Sequence, residues 1–294
     1  MQHGNIVKCV IASTVIATIA RFIQIFSFTE GATGFTKIAK SAMWGQTITF
    51  LVIILAVCIP LIVTTLFSKR QPVRTPKLSK SPKFAIIGYI CSAVLVANAA
   101  VLLLSGALSS TVLIGSVLNL LSGVAIALYS TTAVAKVKFP SIIMVAPVLL
   151  FVYLLVDKFI SFNGMTTIIE NIFTMLYLSL QLVFFLAHGK LISSVNIRKS
   201  SRQILTLSAL VLVFSAMCSV PNLLVFILGR KDLVHESALN TSYLVYGIYS
   251  FLYSSVVYAK RQMPSSGVPS VKKLDVTNAE KTDTSFLLPT DEIH

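Results

Sequence analysis

Charge is what this chain has least of. Only 12% of its 294 residues are Asp, Glu, Lys or Arg, against about 25% in an ordinary soluble domain. A soluble enzyme carrying a single anchor is thereby excluded. Carboxylates are scarcest of all, since the whole stretch before Ala259 holds only Glu30, Asp157, Glu170, Asp232 and Glu236. Histidine is limited to His3, His188, His235 and His294, and tryptophan to Trp44.

These shortages remove most intramembrane chemistry. An aspartyl protease in the membrane needs two carboxylates facing each other, and only Asp157 is even partly embedded. A serine protease needs a histidine beside its nucleophile, and none of the four is expected at mid-membrane. Neither HExxH nor GxxxxGK[ST] occurs. Cys9, Cys58, Cys91 and Cys218 lie far apart, form no CxxC and lack metal-ligand spacing. They read as small core residues. The expectation is a protein with no catalytic residues, no metal and no cofactor.

What the chain has is apolar length. Hydrophobic residues make up 55% and mean hydropathy is +0.86. About 20 apolar residues cross a bilayer as a helix, and helices satisfy their own backbone in lipid. Eight segments qualify: Cys9–Phe26, Thr47–Phe67, Phe84–Leu104, Thr111–Ala135, Ser141–Phe162, Ile168–Ala187, Ile204–Leu228 and Tyr243–Ala259. The fold class is therefore all-α, a polytopic transmembrane helix bundle of about eight spans. Residues 1–259 form the bundle, and the Pro- and Ser-containing stretch 260–294 reads as a disordered tail. Residues Met1–Ala20 also resemble a signal peptide, but apolar character continues through Phe28, which favours an uncleaved first helix.

The formal charge of +14 is unevenly placed. Connections on one side, from Lys8 through Lys69–Lys83, Lys136–Lys138 and Lys190–Arg202, hold thirteen bases and no carboxylate ahead of the tail. The opposite connections hold Lys37, Lys40, Arg230 and Lys231. The positive-inside rule puts both termini in the cytoplasm. Such a face attracts anionic lipid headgroups, and nothing suggests nucleic acid. Trp44 then falls at the outer interface.

Polar residues at membrane depth are the functional pointers in such a chain. Arg21 lies in the outer half of the first span, with Gln24 on the same face. Asp157 in the fifth span and Glu170 and Asn171 at the start of the sixth are expected at a matching depth. They read as one polar cluster, with Arg21 paired to Asp157 or Glu170, or else as an arginine snorkelling to headgroups. Tyr243, Tyr246, Tyr249 and Tyr253 fall on one stripe of the last span, and Tyr246 and Tyr249 are candidates to line the site. Asn98, Asn119 and Gln181 are expected to bond between helices. Pro60, Pro147 and Pro221 are expected to interrupt helices two, five and seven.

Residues Arg21 to Phe35, with Arg21 and Gln24 leading into Thr33 and Gly34, resemble the first helix and loop of a group of uncharacterised multi-pass membrane proteins from anaerobic Gram-positive bacteria. That resemblance implies an eight-helix body in a bacterial cytoplasmic membrane and brings no activity with it. Three functions stay open: a binding or sensory protein using the outer-half site, a small-solute or lipid transporter not coupled to protons, and a structural or assembly protein. A transporter needs a site reachable from both sides, a sensor from one, and a structural protein needs none.

Overall fold

A computed structural model describes residues 3–28, 40–70, 81–104, 110–135, 137, 139–160, 168–230, 233 and 242–259. Eight α-helices occur among them: α1 (His3–Phe28), α2 (Lys40–Arg70), α3 (Pro82–Leu104), α4 (Ser110–Thr131), α5 (Val145–Ile160), α6 (Ile168–Ile192), α7 (Ile197–Ile227) and α8 (Ser242–Ala259). A short 3-10 helix, Ser141–Met144, leads into α5. No strand is found among the described residues. Residues 105–109 and the 260–294 tail lie outside them.

Seven of these stretches are long and apolar enough to cross a membrane, α1 to α7, with α5 counted together with its 3-10 lead as Ser141–Ile160. The surface agrees. Ile11, Val15 and Ile19 on α1 and Ile48, Leu51, Leu55 and Ile62 on α2 are all exposed, a pattern that suits a lipid surround. The chain is an all-helical integral membrane protein.

The helices pair in antiparallel neighbours and close on themselves. α3 packs on α4, α4 on α5, α5 on α6, α6 on α7, α7 on α8, and α8 returns to α3. The α1–α2 hairpin lies outside this ring, against α7. α7 is the hub: 67% of its span window is buried, whereas the other spans reach 22–44%.

α8 is the exception to the hydropathy rule and is not among the seven. It carries Tyr243, Tyr246, Tyr249, Tyr253 and Tyr258 with Ser242, Ser250, Ser254 and Ser255. The fold resolves this polarity by burial: Tyr246, Tyr249, Ser250, Tyr253, Ser254 and Tyr258 are all buried. Gln181 Nε2 of α6 donates to Ser250 Oγ at 2.9 Å, and Ser208 Oγ of α7 donates to Ser254 Oγ at 2.7 Å. Asn98 Nδ2 of α3 donates to the Tyr246 hydroxyl at 3.2 Å, and the Tyr258 hydroxyl donates to the Ser201 carbonyl. Asn98 and Gln181 thus bond between helices as expected. Asn119 does not, for its Nδ2 donates to the Gly115 carbonyl of its own helix at 2.8 Å.

Several element ends differ from the hydropathy pattern. α6 runs on to Ile192 and α7 begins at Ile197, so their connection is only Ser193–Asn196, not 189–203. Ser194 and Asn196 take left-handed φ values of 59° and 50°, which small polar residues tolerate. Lys190, Lys199 and Arg202 therefore stand on helix ends, where hydropathy drops but the backbone bonds continue. The three prolines lie in α2, α5 and α7. α2 and α7 continue through Pro60 and Pro221, while Pro147 sits in the first turn of α5, where no amide donor is required.

Small residues set the close approaches. A methyl at Gly247 of α8 would lie on Ser215 Oγ of α7 and 2.7 Å from its Cβ. Gly88 of α3 meets Ser130 of α4 in the same way, again with a Cβ–Cβ separation of 2.7 Å. Gly247→Ala should lower the melting temperature in detergent, by about 1–3 kcal/mol of stability. Adding Ser215→Gly should restore most of the loss, whereas purely additive losses would show that α7 and α8 do not meet there.

Candidate functional site

Helix phase decides where Arg21 points. Ala17, Ala20, Arg21, Gln24 and Ile25 form one buried stripe of α1, while Ile19, Ile23 and Phe26 are exposed on the other side. Arg21 is only 5% exposed, so it is held inside the protein and does not snorkel to the headgroups. Its Nη1 donates to Gln24 Oε1 at 2.6 Å. Its guanidinium carbon stands 5.0 Å from the centroid of the Phe173 ring of α6, a cation–π contact that strengthens when desolvated. Phe50 of α2 and Phe214 of α7 pack on that same ring, with centroids at 6.5 and 6.3 Å. Four helices thus meet around one guanidinium.

The other expected members are distributed around this centre. Glu170 occupies the first turn of α6, three positions before Phe173 and so on the same helix face; its side chain is outside the described part. Asn171 is half-buried beside it. Asp157 is exposed on α5, a helix that packs on α4 and α6. Tyr153, one turn earlier on the same face, donates its hydroxyl to the Thr111 carbonyl at 2.8 Å, which turns that face toward α4. Tyr246 and Tyr249 belong to a second centre, inside the ring of α3 to α8.

That second centre is aromatic. Phe84, Tyr129, Phe151, Phe184, Phe185, Tyr249 and Tyr253 all take part in ring contacts within it. No family model, curated protein or solved structure matches this chain. Part of the stretch from Arg21 to Phe35, beyond Phe28, lies outside the described residues.

Among the rings stands His188, the residue that sequence reasoning missed. It lies near the end of the α6 span Asn171–Ile192, just past the expected end at Ala187, and is fully buried within the protein. Tyr253 packs on it at 4.0 Å between centroids and Tyr129 edge-on at 4.9 Å. Neither ring nitrogen has a hydrogen-bond partner among the described residues, nor does the Tyr249 hydroxyl. The expected end of α6 at Ala187 left His188 just outside the span. Its signal was the run Leu182 to Ala187 directly before it, whose apolar face continues to Leu191. No group of three metal-ligating side chains occurs among the described residues.

A buried polar atom without a partner costs about 1–3 kcal/mol. If His188 only fills space, His188→Phe should leave the melting temperature unchanged or raise it, because the ring shape is kept and two such atoms are lost. A clear drop for His188→Phe, measured in the same detergent, would show instead that the imidazole nitrogens hold something in the native protein.

Proposed function

We propose that this is a non-catalytic, eight-span membrane protein that binds a small anionic solute at the Arg21 centre. Both termini lie in the cytoplasm, the membrane is the bacterial cytoplasmic one, and the site is in the outer half. One observation carries the reading: a nearly fully buried guanidinium, already oriented by Gln24 and backed by an aromatic ring. Arginine in this setting recognises carboxylate or phosphate through fixed, paired donors. A charge buried in the membrane region carries a large desolvation penalty and marks function more often than surface charge does.

Glu170 is proposed as the counter-charge from its position in the first turn of α6 alone, with Asn171 next to it in the chain. Asp157 takes a lesser part, being exposed on the α4 side of α5. An anionic solute would meet Arg21 in competition with Glu170, so occupancy would shift an ion pair inside a four-helix junction. That is the kind of change a sensor transmits. The α8 span and the orientation rest on charge distribution and on the burial of its tyrosines.

The test is native mass spectrometry with metabolite identification on protein in mild detergent, for wild type, Arg21→Gln and Arg21→Gln/Glu170→Gln. The expected result is a stoichiometric anion that disappears in Arg21→Gln while the melting temperature falls. No bound anion, together with full recovery of stability in the double variant, would make Arg21–Glu170 a structural pair and overturn the binding role.

A further inference from the structure

A cleft of about 450 Å³ opens at the other end of the bundle, where the 3-10 turn and the start of α5 stand beside the end of α6. It exists for a local reason. The 3-10 turn enters α5 through Pro140 and Pro147, and the facing residue of α6 is Gly189, which has no side chain to fill the gap. A methyl at Gly189 would meet only Met144, 3.9 Å away. The walls are apolar, with Val145 and Val148 on one side and Phe185 and Leu186 on the other. Phe185 closes the inner wall by stacking on Phe151 at 5.4 Å. Among the described lining residues, polar side chains are limited to Ser141, Lys190 and Ser193, and Lys190 is the charged one.

The cleft faces outward, for Ile142, Val145 and Leu186 are exposed on the flank that the bundle presents to lipid. A ligand therefore enters sideways from the bilayer. Lys190 is exposed in the last turn of α6, at the level where a helix end reaches headgroups. The same end carries exposed Lys8, Lys83 and Lys199 at the starts of α1, α3 and α7, and the connecting segments there have no carboxylate before the tail.

We propose that this cleft is a binding site for one anionic phospholipid of the adjoining leaflet. One acyl chain lies between α5 and α6 against Phe185, and the headgroup phosphate is held by Lys190 with the Ser141 and Ser193 hydroxyls beside it. The volume falls in the range of small-molecule sites. Charge complementarity selects the occupant: an apolar slot with the Lys190 ammonium at its mouth fits an acyl chain ending in an anion. The site is separate from the Arg21 centre and stands or falls independently of it.

The experiment adds phosphatidylglycerol or phosphatidylcholine to delipidated protein in mild detergent and counts retained lipids by native mass spectrometry. One phosphatidylglycerol should survive mild activation, and phosphatidylcholine should not. Lys190→Gln should weaken its retention about fivefold, and Val145→Trp should abolish it by filling the slot. Lys199→Gln, at the same end but outside the cleft, should leave it unchanged. Equal losses for Lys190→Gln and Lys199→Gln would mean diffuse attraction and overturn the site. Retention in Val145→Trp would overturn it too, and Leu186→Trp, from the opposite wall, serves if Val145→Trp does not fold.

Discussion

A hydroxyl buried among apolar side chains has no water to bond with, and α8 brings nine hydroxyls into the bundle, most of them buried. Four of them, on Tyr246, Ser250, Ser254 and Tyr258, bond to other helices, while those of Tyr249 and Tyr253 are buried without a partner among the described residues, so α8 sits where several helices reach it. The bonds Gln181–Ser250, Ser208–Ser254, Asn98–Tyr246 and Tyr258–Ser201 tie it to α6, α7 and α3. Each is worth about 1 kcal/mol or less in membranes, yet leaving any partner alone costs more than that. The closed ring of α3 to α8 follows from this need, and the Gly247–Ser215 approach allows α7 to come close enough to meet it.

The same constraint explains what could be seen in advance. Long apolar runs gave away α1 to α7, because a lipid-facing helix must be apolar over its full length. The tyrosine stripe of α8 pointed inward for the same reason, and Tyr246, Tyr249 and Tyr253 are indeed buried. Helix ends were less legible. Hydropathy measures where lipid stops, whereas backbone bonding carries α6 on through Gly189 and Lys190 to Ile192. That difference of one turn hid both His188 and the wall of the lipid cleft.

The Arg21 centre was half legible. An i, i+3 spacing puts Arg21 and Gln24 on one face, and their hydrogen bond follows from helical geometry alone. The aromatic floor provided by Phe173, Phe50 and Phe214 comes from three other helices, and no local pattern announces such a junction. Depth alone suggested Asp157 as a partner, but depth says nothing of azimuth around the bundle. Packing of α5 between α4 and α6 puts Asp157 on a different flank from the α1–α7 contact.

Burial of α8 is the claim on which this account rests, and oxygen accessibility of spin labels measures it directly. Single cysteines along α2 and α8, labelled in bilayers, should give two different traces. α2 should show a 3.6-residue oscillation with maxima near Ile48, Leu51, Leu55 and Ile62, which are exposed. Every described side chain of α8 is buried or half-buried, so its trace should stay low throughout. A strong lipid-facing maximum on α8 would contradict the closed ring and the hydrogen-bonded core that depends on it.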